Sequence, residues 1–185
     1  MNFGILKLFF GIETTLALAG ALWMWLAGYK PIARPNPLGE ALLALFGYAL
    51  LLGLDKLAEK TFAAAYADLE RLMQSIGNVL KHSGVNYNHV ILLALASAVG
   101  EEVWFRGAIL NFFNNGLGEY AAVPLQAAIF AAGHPAPGKA GRFYFLWAFV
   151  AGVVFGWLYL FSGSLMPGIL AHFLYNAKGF TEIYE

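Results

Sequence analysis

The 185-residue chain contains no cysteine and few charges. Without cysteine there is no disulfide, no thiolate nucleophile and no cysteine-ligated metal. Charged residues make up 12% of the sequence, against about 25% in ordinary soluble domains. Those present cancel, with 11 Lys+Arg and 11 Asp+Glu, so no net field favours nucleic acid or an acidic partner. Internal repeats and low-complexity tracts are missing as well. The first apolar run is too long for the hydrophobic region of a secretory signal and lacks a small-residue cleavage site. It is expected to be a membrane span.

Apolar residues fill the space that charge leaves. They account for 60% of the chain, and aromatics alone for 16%, where soluble domains hold about 45–50% apolar residues. A soluble domain of this length has too little interior to bury so much apolar surface. The 21 glycines suit helices whose backbones approach closely in a bilayer. Composition therefore predicts an all-α, polytopic transmembrane helical bundle.

A helical crossing takes ~20 apolar residues. Six segments read as spans, at about residues 3–29, 38–54, 89–113, 119–134, 142–161 and 165–180. Pro31, Pro35 and Pro37 separate the first two. The third is expected to stop at Asn114-Asn115-Gly116, and the fourth contains Pro124 and ends before Pro135. Residues 55–83 are different in kind. Asp55, Lys56, Glu59, Lys60, Asp68, Glu70, Arg71 and Lys81 accompany a stripe of Phe62, Tyr66, Leu69, Met73, Ile76 and Leu80 at steps of four and three. That pattern predicts one amphipathic helix at the interface or on the bundle. The expected organisation is thus residues 1–85 as two membrane helices plus an amphipathic connector, and residues 86–185 as a core of four membrane helices.

Six spans put both termini on one face. That face would carry Lys7, Lys56, Lys60, Arg71, Lys81, Lys139, Arg142 and Lys178, and the other only Lys30 and Arg34. The bias of basic residues towards the inner side predicts both termini in the cytoplasm. Arg106 belongs to neither face, because it lies inside the third span.

Ionisable groups at membrane depth cost at least ~2.5–3.5 kcal/mol each on insertion scales, so each needs a reason. The third span holds Glu101, Glu102 and Arg106. Glu102 and Arg106 are four apart, share a helix face, and neutralise each other as a pair. Glu101 is turned about 100° away and is left without that partner. The fourth span ends in His134, four residues after Phe130, and the sixth places His172 and Asn176 four apart on one face. Singly, a membrane histidine or asparagine reads as an interhelical hydrogen bond. Glu13, beside Thr14 and Thr15 in the first span, takes that reading too. Together, Glu101, Glu102, Arg106, His134, His172 and Asn176 come from three spans that could converge on one cavity.

In this order, Glu-Glu-x-x-x-Arg at 101–106, Phe-x-x-x-His at 130–134 and His-x-x-x-Asn at 172–176 resemble the CPBP (ABI) family of intramembrane proteases, which includes the type II CAAX prenyl endopeptidases. The resemblance covers about residues 86–180. It implies that Glu101 and His134 activate a water for attack on the scissile amide. It also implies that His172 and Asn176 form an oxyanion hole, and that Glu102 and Arg106 support the cluster. The implied substrate is a membrane-embedded or lipidated peptide, a prenylated protein or a bacteriocin-like precursor among them. The partner classes are then that peptide and the lipid bilayer, with no nucleic acid.

Two glutamates and two histidines are also donors that a divalent metal accepts. The chain lacks His-Glu-x-x-His, the two-histidine helix motif of zinc peptidases. The resemblance favours the metal-free route, so no cofactor is expected, with a divalent metal at the cluster as the alternative. Two readings from other classes stay open: a non-catalytic membrane scaffold, and a proton or ion pathway. A scaffold has no use for Glu101 or His134, and a relay has no use for paired oxyanion donors.

Overall fold

A computed structural model describes residues 4–33 and 35–184. Phe3, where the first span was expected to begin, and Arg34, one of the two basic residues assigned to the sparse face, lie outside the described residues. The architecture is all-helical: α1 (Gly4–Ala27), α2 (Pro37–Thr61), α3 (Ala63–His82), α4 (Tyr87–Glu101), a π-helical segment (Glu102–Leu110), α5 (Asn111–Leu117), α6 (Glu119–Ala132), α7 (Gly138–Ser162) and α8 (Met166–Tyr184). No β-strand occurs among the described residues, and Ile32 and Ser164 form an isolated antiparallel bridge.

Local sequence explains the ends. Asn36 accepts a hydrogen bond from the Gly39 amide, and Pro37 follows it in the first turn of α2, where its missing N–H costs nothing. Asn86 and His89 cap α4 reciprocally. Gly163 closes α7 with φ +64°, a left-handed conformation that other residues adopt only under strain.

Several boundaries differ from the sequence expectation, α7 among them, which begins at Gly138 and not near Arg142. The second helix does not stop at Leu54 but continues to Thr61, because the charges at 55–60 mark where apolar sequence ends and not where helix ends. Within that extension Asp55 accepts hydrogen bonds from Tyr66 of α3 and Tyr175 of α8. The third helix passes through Asn114-Asn115-Gly116, which are helical, and ends at Gly118, where φ is +77°. The last begins at Met166 and runs four residues beyond Phe180, to Tyr184.

α1, α2 and α7 are long and apolar enough to cross a membrane, and only 17%, 22% and 39% of their most apolar stretches are buried. The uncovered surface is correspondingly greasy: Leu18, Trp25 and Leu26 of α1 and Phe46 of α2 are more than half exposed. In water such contiguous surface is an aggregation liability; in lipid it is the solvent-facing side. The other expected spans are less simple. The α4–α5 path carries Glu101, Glu102 and Arg106, α6 has only 14 residues, and α8 contains Lys178 and Glu182. α3 lies against α7 and α8 with Tyr66, Leu69, Met73 and Leu80 half-buried and Glu70 and Arg71 exposed, whereas Ile76 of the expected stripe is exposed and Asp68 and Lys81 are half-buried.

Core helices approach through small residues. α1 packs on α4 and on the π-helical segment, and a Cβ on Gly20 would fall 2.9 Å from the Val103 carbonyl oxygen and 3.0 Å from Trp104 Cα. Both are backbone atoms that cannot swing aside. Gly20→Ala is therefore expected to destabilise the protein by about 1–3 kcal/mol, read as a lower midpoint in a denaturing-detergent titration. An unchanged midpoint would mean that α1 is not held against this segment.

Candidate active site

The site begins with an irregularity in one helix. From Glu102 to Leu110 the backbone adopts the wider i→i+5 pattern, which frees carbonyls from their α-helical partners. Asn111 compensates: its Nδ2 donates to the Gly107 carbonyl at 2.8 Å and to Tyr159 Oη at 2.7 Å, tying the segment to α7. Glu101 and Glu102 sit at the junction between the two helix types.

Glu102 and Arg106 have no exposed side-chain surface, and their ion pair closes at 3.0 Å. The spacing expected for an α-helix thus also serves in the wider one. Arg106 is fixed on further sides. Nη2 donates to the Gly152 carbonyl at 3.4 Å, and the guanidinium lies 4.4 Å from the Phe130 ring centroid and 5.1 Å from that of Phe155. Both contacts are within cation–π range. Phe155 stacks in turn on the His172 ring, with centroids 4.6 Å apart.

His172, on α8, is held by its Nδ1, 3.0 Å from Glu102 Oε1. An ionised carboxylate only accepts, so this nitrogen donates and Nε2 is left facing inward. The close approach of α8 depends on Gly168, one turn earlier, where a Cβ would fall 2.7 Å from Glu102 Oε2.

Glu101 is buried and uses one oxygen structurally: Oε1 accepts a hydrogen bond from Ser97 Oγ at 3.0 Å. Its other oxygen, Oε2, lies 3.6 Å from His134 Nε2 and 3.7 Å from His172 Nε2. His134 Nδ1 sits 2.7 Å from the Phe130 carbonyl, which can only accept, so Nδ1 donates and Nε2 is again the nitrogen turned to Glu101. Asn176, one turn beyond His172, donates from Nδ2 to Ser97 Oγ at 3.2 Å. All six residues singled out from sequence are therefore linked in one cluster built from α4, the π-helical segment, the end of α6 and α8.

Ser97, Phe155 and Gly168 had not been singled out. Ser97 precedes Glu101 by four residues and Gly168 precedes His172 by four, so helical spacing offered a signal for both. Nothing in sequence distinguishes Phe155 from the other aromatics of α7. The hydrogen bond expected of Glu13 is not made at Oε2, which is buried without a partner, and Thr15 Oγ1 donates to the Gly11 carbonyl instead. Among the described residues no three His, Cys, Asp or Glu side chains are grouped closely enough to hold a metal ion.

His134 is half-buried at the end of α6 and lines a cleft of about 410 Å³ with Pro135, Gly138, Arg142 and Phe145. A cleft of that size admits a peptide side chain or backbone segment.

Neither the curated proteins nor the solved structures include a match to this chain. The family model described as type II CAAX prenyl endopeptidase, Rce1-like, matches residues 84–178, a stretch that holds Glu101, Glu102, Arg106, His134, His172 and Asn176. That match spans just over half the sequence: the chain belongs to the Rce1-like type II CAAX prenyl endopeptidase family, a family of proteases.

Proposed function

We propose that the protein is an intramembrane endopeptidase that hydrolyses a peptide bond of a membrane-embedded or lipidated peptide, using a water activated by Glu101 and His134. The observation that carries this reading is the convergence of Glu101 Oε2 with the Nε2 atoms of His134 and His172 at 3.6 and 3.7 Å. Those separations exceed a direct hydrogen bond of ~2.7–3.2 Å, and an oxygen seated above a pair of such atoms reaches both at hydrogen-bonding distance.

The chemistry follows from the donors and acceptors available. A water held by Glu101 Oε2 and His134 Nε2 loses a proton to Glu101 as its oxygen adds to the scissile carbonyl carbon. The carbonyl oxygen becomes an oxyanion. Asn176 has a second N–H beyond the one engaged with Ser97, and His172 can donate through Nε2 in its doubly protonated form, with Glu102 as counter-charge at Nδ1. Collapse of the tetrahedral intermediate breaks the C–N bond, and the proton on Glu101 passes to the amine nitrogen. Glu102 and Arg106 hold the ring and the helix in place. The protein supplies base, water ligand and oxyanion donors itself, so we read the reaction as metal-independent.

In this reading residues 86–185 form the catalytic core and residues 1–85 a flanking layer. Six spans cross the bilayer, with α3 at the interface and both termini in the cytoplasm, as the basic residues favour. The cleft beside His134 then opens towards the cytoplasmic half of the membrane.

The test uses purified protein in proteoliposomes with lipidated and unlipidated hydrophobic peptides. Wild type is expected to cleave and His134→Ala to lose about 10²-fold or more in kcat/KM, while strong chelator leaves the rate unchanged. Loss of activity in chelator, restored by a divalent ion, would transfer the water to a metal. Equal cleavage by wild type and a folded His134→Ala would sink the assignment.

A further inference from the structure

A second cavity, of about 230 Å³, opens between α2 and α7, away from the residues placed at the water. Leu54, Leu57 and Ala58 of α2 form one wall, and Phe143, Trp147 and Val150 of α7 the other. None of its lining residues carries a charge. Phe62, at the break between α2 and α3, also lines it and meets Phe143 with ring centroids 6.1 Å apart. The last turn of α2 and the first turns of α7 therefore lie at the same end of the slot. From Leu54 to Thr61 the α2 wall is ~10 Å long, about two-thirds of the ~15 Å of hydrocarbon in one leaflet.

The charges gather at that one end. Lys60 adjoins Thr61 in the last turn of α2. Lys139 stands four residues before Phe143, one turn further out on the same face of α7. Both lysines are exposed, and neither has an ion pair or hydrogen bond among the described residues. Glu59, the nearest acid in sequence, is turned about 160° from Thr61 around α2. α7 also begins without a side-chain cap, which leaves the positive end of its dipole open here. An uncharged slot with two free cations at its mouth is complementary to a molecule with an apolar tail and an anionic head.

We propose that this slot is a binding site for one anionic phospholipid of the surrounding bilayer, with an acyl chain between α2 and α7 and the phosphate between Lys60 and Lys139. The lysine stems extend along apolar surface while their ammonium groups meet the headgroup. The chain lies against Trp147, whose ring centroid is 6.0 Å from that of Tyr175 on α8. Tyr175 precedes Asn176 and donates to Asp55 of α2 at 3.2 Å. A seated lipid thus buttresses the contact between α2, α7 and α8. The site stands whether or not the endopeptidase reading does.

The test places full-length wild type and the Lys60→Gln/Lys139→Gln double variant in phosphatidylcholine bilayers. Each is titrated with phosphatidylglycerol or phosphatidylcholine carrying brominated acyl chains, which quench tryptophan on contact. The Trp147 signal is isolated as the difference from Trp147→Phe. In wild type, half-quenching by the anionic lipid is expected at about tenfold lower mole fraction than by the zwitterionic one. The preference should vanish in the double variant and shrink at ~1 M salt. If Trp147→Phe does not fold, the unfolding midpoint makes the same comparison: phosphatidylglycerol should raise it in wild type and not in the double variant. Equal quenching or equal stabilisation by the two lipids overturns the proposal and leaves ordinary boundary lipid at the slot. A double variant that keeps the preference overturns it as well. Quenching by a bromoacylated peptide, with none by phosphatidylglycerol, would give the slot to a substrate chain instead.

Discussion

Replacing Glu101 by glutamine is expected to lower kcat/KM by about 10²–10⁴-fold, the contribution of a positioned general base. Glutamine keeps the length of the side chain and, through its amide oxygen, can still accept from Ser97 Oγ, which bonds Glu101 at 3.0 Å. What it loses is proton affinity at the atom facing His134 and His172. The loss belongs to the transition state, so kcat should carry it and KM should move little. Steady-state cleavage of a fluorogenic hydrophobic peptide, with unfolding midpoints as the control for folding, makes the measurement. A folded Glu101→Gln within about tenfold of wild type leaves no room for Glu101 as the base.

The largest expected effect on stability is at Arg106. Its partner Glu102 has no exposed side-chain surface, and the same Glu102 oxygen meets both Arg106 and His172 at 3.0 Å. Arg106→Met removes the cation and strands the carboxylate, a change that costs about 3–5 kcal/mol in buried pairs. It also empties the position between the Phe130 and Phe155 rings of its planar charge. Adding Glu102→Gln to Arg106→Met removes the stranded charge and should recover most of that loss, because the damage lies in the unpaired group. Unfolding in mixed micelles would report both. Single and double variants of equal stability would show that the pair is not what holds this part of the bundle.

Much of this arrangement is legible in the sequence, for a definite reason. Membrane helices make buried charge conspicuous, so Glu101, Glu102, Arg106, His134, His172 and Asn176 stand out against apolar sequence, and spacings of four pair Glu102 with Arg106 and His172 with Asn176 on helix faces. Hydropathy marks where sequence turns polar but not where hydrogen bonding stops. This is why α2 runs on past Leu54 to Thr61 and the helix through Asn114 reaches Leu117. The π-helical segment was invisible as well. It is a property of backbone pairing secured by Asn111, Gly107 and Tyr159, and these residues carry no pattern that announces it. Spacing to His172 marks Gly168 as a site neighbour, but its close approach to Glu102, like that of Gly100 to Glu13, is not in the sequence, since a close approach needs both partners in place.

The shortness of α6 has a consequence for the membrane itself. Fourteen residues make a helix ~21 Å long, whereas the hydrocarbon layer is ~30 Å thick. In the proposed six-span arrangement, a bilayer surrounding this helix must thin locally, or its end must stay sunk beneath the headgroups with polar material drawn down to it. His134 stands at that end, two residues past Ala132, beside the cleft. Hydrophobic mismatch would thus bring the water needed for hydrolysis to a depth where lipid otherwise excludes it. Activity should then respond to acyl-chain length in the surrounding lipid as well as to the peptide supplied.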